Sequence, residues 1–176
     1  MSENLTIVYL AVLLVLLSAT AVFIFRQVLR TRRVENTFSK LQNKLKQEKG
    51  TAKEYYQLAS LYLDKKLFVQ ANNLLQKALK EGQGAEPENR ALIYNALGYS
   101  YFAQEQYDLA IRQYREALKL NSEYVVALNN LGNVYERKQL TAQALAVYEQ
   151  ALQLEPDNTT AKRRAESLRK RMAPSS

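Results

Sequence analysis

The sequence predicts an all-α protein: an N-terminal membrane-crossing helix, then a solenoid of three helix pairs closed by a further helix. Three observations predict it. From Leu5 to Phe25 the chain runs 21 residues without a charge. The phrase Asn-x-Leu-Gly-x-x-Tyr occurs twice, as NALGYSY from Asn95 and NNLGNVY from Asn129, 34 residues apart. Around both copies apolar residues recur at three- and four-residue spacing, the period of an amphipathic helix.

The first element is the apolar run LTIVYLAVLLVLLSATAVFIF. As a helix it would span about 31 Å, enough for a bilayer's hydrocarbon core. Ala19-Thr20-Ala21 resembles a signal-cleavage site, which would release a secreted scaffold. However, the leader Met1–Asn4 has no Lys or Arg, and the run continues to Phe25. Residues 1–25 therefore read as a retained anchor. Arg26, Arg30, Arg32 and Arg33 follow at once, against Glu3 alone on the other flank. The positive-inside rule then expects the C-terminal bulk on the cytoplasmic side. The anchor has no pair of small residues at four-residue spacing, so a tight anchor dimer is not expected.

Residues 26–50 read as a basic juxtamembrane amphipathic helix, with Val34, Phe38, Leu41 and Leu45 on one stripe and Gly50 at its end. They hold eight Lys/Arg against two Glu. Residues 159–176 hold six against one, whereas 51–158 hold eleven basic and thirteen acidic groups. The net charge of +8 thus sits at two basic ends. Membrane lipid, through anionic headgroups, is the nearest partner for them. No nucleic-acid motif accompanies the charge, so no nucleic-acid partner is expected.

The repeats come next. Tyr94, Leu97, Gly98, Tyr101, Ala110, Tyr114 and Ala117 match Leu128, Leu131, Gly132, Tyr135, Ala144, Tyr148 and Ala151, each pair 34 residues apart. Tyr55, Leu58, Ala59, Tyr62, Ala71, Leu75 and Ala78 form an upstream copy at an offset of 39. The five extra residues fall in the turn-rich stretch EGQGAEPEN, Glu81–Asn89. Thr51-Ala52-Lys53-Glu54 reads as a capping box that opens the first copy. Gly98 is expected to pack closely on Ala110, and Gly132 on Ala144, with Tyr101 and Tyr114 filling the space around the contact, because a mid-helix glycine costs about 1 kcal/mol and needs a packing reason. One helix pair cannot bury its apolar face alone, but three stacked pairs can. The last element, TTAKRRAESLRKRMAPSS, puts Ala161, Ala165, Leu168 and Met172 on one face of a capping helix expected to stop near Pro174.

This period and these positions resemble the tetratricopeptide repeat (TPR), a helix–turn–helix unit that stacks into a right-handed solenoid. The resemblance covers residues 52–85, 91–124 and 125–158. Pro156 supplies the terminal proline of the last copy, Ser122 replaces it in the second, and the first lacks both that proline and the glycine. The resemblance implies that the first helix of each pair lines a concave groove. By register the groove residues are Tyr56, Ser60, Asn95, Tyr99, Phe102, Asn129, Asn133 and Arg137. Side-chain amides donate and accept, so the asparagines can bond an extended peptide backbone; alternatively Asn129 and Asn133 are ordinary repeat residues facing water. Tyr99 and Phe102 would supply apolar pockets. Members that receive chaperone tails clamp a C-terminal carboxylate with Lys, Asn and Arg. The corresponding places here hold Tyr56, Ser60, Ala96, Val126 and Asn130, so that clamp is not expected.

No enzyme activity, cofactor or metal is expected. The chain has no cysteine and no histidine, which removes thiolate nucleophiles, Cys/His metal sites and histidine general bases. Glu105 and Asp108 read as solvated or capping groups near a turn. Of 12 tyrosines, Tyr55, Tyr62, Tyr94, Tyr101, Tyr107, Tyr114, Tyr135 and Tyr148 fall on core stripes.

From end to end the chain is similar to the small TPR proteins of cyanobacterial and plastid thylakoids that assist photosystem I assembly. The stretches ALIYNALGYSYFAQEQYDLAIRQY, YVVALNNLGNVYERK, TAKRRAESLRKR and RQVLRTRR carry that likeness. It implies a single-pass thylakoid membrane protein with its repeats on the cytoplasmic or stromal side. The implied partners are photosystem I subunits or assembly intermediates, with no small-molecule substrate. Lacking cysteine, such a factor could not deliver iron–sulfur clusters through its own thiolates. The rival reading is a generic membrane-anchored TPR adaptor, such as an accessory subunit of a protein-translocation complex. Those place the repeats outside the cytoplasm, so the four arginines favour assembly.

Overall fold

A computed structural model of the chain describes residues 2–172, and it falls into two compact units, Met1–Glu48 and Lys49–Ser176. The described residues of the first unit are a single helix, α1 (Ser2–Gln47). The anchor and the basic stretch, read from the sequence as two elements, are continuous within it. No glycine or proline interrupts them, so the backbone hydrogen bonding has no reason to break. Large apolar side chains stand open along its first half, with Leu14 68% and Phe23 71% exposed. The Thr20 hydroxyl donates to the Leu17 carbonyl at 2.8 Å, so it needs no external partner.

The second unit holds α2 (Ala52–Asp64), α3 (Phe68–Glu81), α4 (Pro87–Ala103), α5 (Tyr107–Leu120), α6 (Val125–Arg137), α7 (Thr141–Leu154) and α8 (Thr159–Met172). Helices pair as α2 with α3, α4 with α5 and α6 with α7, each pair stacks on the next, and α8 closes the stack against α7. This is a TPR solenoid. Thr51 opens it as a capping box: its hydroxyl accepts from the Glu54 amide at 3.3 Å, and the Glu54 carboxylate accepts from the Thr51 amide at 3.0 Å.

The turn inside each pair has one geometry. Lys66, Glu105 and Gln139, at equivalent register, take φ of 58°, 59° and 60°. In each the next amide reaches back to a tyrosine carbonyl: Leu67 to Tyr62 at 2.8 Å, Gln106 to Tyr101 at 2.9 Å and Leu140 to Tyr135 at 2.9 Å. These are Schellman turns, a form that normally places glycine at the left-handed residue. The sequence shows no such signal, because none of the three is glycine.

One expectation sharpens and one changes. Nearest to the small residues at Gly98 and Gly132 stand the aromatic rings of Tyr114 and Tyr148. A Cβ added at Gly98 would stand 2.6 Å from Cε1 of Tyr114, and one at Gly132 would stand 2.6 Å from Cζ of Tyr148. Both rings are 1% exposed, among the largest fully buried groups. Of the eight tyrosines expected in the core, Tyr55, Tyr114, Tyr135 and Tyr148 are buried, and Tyr62, Tyr94, Tyr101 and Tyr107 only partly so. A phenol's polar tip gains by staying in reach of water.

The stretch Glu81–Asn89 is also not all turn. Helix α4 starts within it, at Pro87. Proline at the first helical position loses nothing there, and Glu88 in the first turn suits the helix dipole. At the far end Asn158 caps α8, accepting from the Ala161 amide at 2.9 Å. Ala161, Ala165 and Leu168 are buried, while Met172 is 50% exposed. Pro174, expected to stop this helix, lies outside the described residues.

Candidate functional site

The first helices α2, α4 and α6 touch in succession and form one continuous face. Tyr56 and Ser60 come from α2, Asn95, Tyr99 and Phe102 from α4, and Asn129, Asn133 and Arg137 from α6. Each first helix must bury its Leu/Tyr stripe against its second helix, which leaves these positions on the other side. Tyr99 is 46% exposed and Arg137 is exposed, whereas Tyr56, Asn95, Asn129 and Asn133 are half-buried.

Not all eight residues are available to a partner in the same way. The Ser60 hydroxyl donates to the Tyr56 carbonyl at 3.0 Å, within its own helix. Phe102 packs on the core and against Tyr107, with ring centroids 5.9 Å apart. The asparagines are linked from helix to helix. Asn130 donates its amide to Asn95 Oδ1 at 3.0 Å, and Asn129 donates to Asn158 Oδ1 at 3.4 Å. Asn129 keeps one acceptor, Oδ1, buried without a hydrogen-bond partner. A buried acceptor of this kind is costly until something donates to it.

The structure adds a cleft that the register did not indicate. It lies between α2 and the start of α4 and holds about 490 Å³. Ala52, Lys53, Tyr56, Gln57, Ala85, Asn89, Leu92 and Ile93 line it. Ala85 and Asn89 come from the stretch Glu81–Asn89 that holds the five extra residues, so the offset of 39 is its one sequence signal. Leu92 and Val126, 38% and 53% exposed, add apolar surface along α4 and α6. Tyr124 borders this face as well: burial, and then its closeness to Tyr56, hold its hydroxyl above the usual phenol range.

The comparisons with known proteins agree with this architecture. A TPR repeat family matches residues 98–139, and the tetratricopeptide repeat family matches 125–158. The protein named "Uncharacterized protein ycf37" from Cyanophora paradoxa is 39% identical over 142 residues, covering 81% of this chain and 82% of the relative. The chain belongs to the ycf37 family. The chloroplastic tetratricopeptide repeat domain-containing protein PYG7 of Arabidopsis thaliana is 35% identical over 164 residues. That match covers 93% of this chain and 54% of PYG7, so the ycf37-family chain spans about half that protein's length. Among solved structures, MamA superposes with a TM-score of 0.71 at 22% identity over 80% of each chain, a likeness of fold alone.

In this ycf37-family chain the face ends at a charged latch. Glu136, on α6, accepts from the Tyr148 hydroxyl at 2.8 Å and pairs with Arg171 at 3.4 Å and Arg164 at 3.6 Å, both on α8. Arg169 pairs with Glu149 at 2.6 Å. Burial, then the bond to Glu136, hold the Tyr148 hydroxyl protonated well above the usual phenol value. Three of the six basic groups expected to face lipid at this end therefore also hold α8 in place. At the other end Arg26, Arg30, Arg32 and Arg33 are exposed on α1, directly after the apolar run. Chemically the α2–α4–α6 face offers amides, phenol rings and apolar patches, which suits recognition of a protein segment.

Proposed function

We propose that this ycf37-family chain is a membrane-anchored TPR scaffold. Its α2–α4–α6 face holds segments of photosystem I subunits or assembly intermediates and so promotes the complex's assembly or stability. The observation that carries the proposal is the pairing, in one chain, of that face with a helix long and apolar enough to cross a membrane. The run's large side chains stand open, and each would cost roughly 1.5–3 kcal/mol in water relative to a fully apolar setting. The relative PYG7, named as chloroplastic, supports a photosynthetic membrane. The exposed Arg26–Arg33 cluster supports repeats on the cytoplasmic or stromal side, which disfavours a translocation subunit. The photosystem I assignment rests on the end-to-end resemblance.

Co-purification of a tagged full-length protein from solubilised thylakoid membranes tests this. Photosystem I polypeptides should be the principal partners. Principal recovery of translocation subunits would overturn the assignment.

A further inference from the structure

We propose that the solvent-facing side of α8 is a docking surface for an anionic bilayer. The proposal deepens the membrane reading above and rests on it. Ala161, Ala165 and Leu168 turn inward, with no more than 1% exposed. At 100° per residue the opposite side of the helix then carries Arg163, Glu166, Ser167 and Lys170, flanked by Lys162; all five are exposed. Glu166 is the one acidic group in α8.

The flanks add to the same charge. Arg164, Arg169 and Arg171 pair with Glu136 and Glu149, yet their side chains are still 43%, 55% and 60% exposed, while Glu136 is 11% exposed beneath them. The Glu136 carboxylate faces inward beneath Arg164 and Arg171, while Glu149 is 42% exposed beside Arg169. The latch thus fixes α8 rigidly while leaving its outer surface cationic. A rigid cationic face of this kind suits a flat array of phosphates, because no ordering entropy remains to oppose contact. Each basic residue close to an anionic leaflet favours contact on the order of fivefold. Tethering by a membrane-spanning helix would keep the surface at high local concentration. An acidic protein segment offers the same charge without that tether, so the bilayer is favoured.

The absence of cysteine makes the test direct. Ser167→Cys in the full chain gives a single site for an environment-sensitive fluorophore on the outer face of α8. The labelled protein is reconstituted into phosphatidylcholine vesicles, or into vesicles of equal parts phosphatidylcholine and phosphatidylglycerol. Vesicle flotation reports incorporation, and spin-labelled headgroups report approach of the dye. We expect quenching several-fold stronger in the anionic vesicles, abolished near 0.5 M salt, where screening shortens to a few ångström. It should be lost in Lys162→Gln/Arg163→Gln/Lys170→Gln, which spares the latch; an unchanged thermal melt confirms folding. Incorporation with equal quenching in both vesicles overturns this inference and leaves the anchor standing, with an acidic protein the remaining partner. Failure to incorporate overturns both.

Discussion

A Cβ carbon on Gly132 would lie 2.6 Å from Cζ of Tyr148, and Gly98 stands in the same relation to Tyr114. The fully buried ring is what requires the glycine. The first repeat confirms the rule by its exception: register places Leu75 opposite Ala59, so a smaller partner goes with a larger helix residue.

Gly98→Ala should therefore destabilise the protein by about 1–3 kcal/mol, despite alanine's better helix propensity. Pairing it with Tyr114→Leu, the combination used by the first repeat, should recover part of that loss. A double-mutant cycle by urea denaturation measures the coupling. Additive effects would show that the ring and the glycine do not meet.

Lys66, Glu105 and Gln139 each occupy left-handed backbone, which costs a side-chain-bearing residue about 1–2 kcal/mol. Glycine there relieves that strain but loses about 0.5–1 kcal/mol to unfolded-state freedom. Each glycine substitution should raise stability by roughly 0.5–1 kcal/mol, and the three should add, because they lie in separate turns. Thermal melts of the single and triple variants check this.

Burial holds the Tyr114 hydroxyl protonated beyond its ordinary value near 10, with Tyr99 and Tyr124 close by, and burial together with Glu136 does the same for Tyr148. Below pH about 10 both states keep these protons, so the contribution is complete. Above it the unfolded chain releases them and the folded chain does not. Stability should then fall by up to about 1.4 kcal/mol per pH unit for each phenol. Denaturation midpoints between pH 9 and 11 check the slope, and Tyr114→Phe should make it shallower.

Glu136→Ala should cost about 1–3 kcal/mol, because the Tyr148 hydroxyl loses its acceptor and two arginines lose their partner. Glu136→Gln, which can still accept from Tyr148, should cost less. Hydrogen exchange should localise the loosening to α8.

Much of this was legible beforehand because a repeat states its packing several times over. The 34-residue register located the helix pairs, and the Ser/Thr-x-x-Glu pattern located the start of α2. Register gives the face of a helix but not the atom across from it, so it places Tyr114 around the Gly98 contact without showing that the ring itself is the nearest neighbour. The asparagine links, Asn95 with Asn130 and Asn129 with Asn158, join residues 35 and 29 positions apart and have no local signal. The left-handed turns were hidden because the chain uses Lys, Glu and Gln where glycine would have announced them.

The central claim is that the α2–α4–α6 face binds photosystem I polypeptides. Tyr56→Ala, Tyr99→Ala and Asn133→Ala together remove three groups from that face and spare the asparagine links. The deciding measurement is recovery of photosystem I polypeptides with the tagged full-length variant from thylakoid membranes, beside its circular dichroism melt. With an unchanged melt, recovery should fall at least tenfold, since each lost contact is worth about 0.5–1.5 kcal/mol. Undiminished recovery with the same melt would contradict the account.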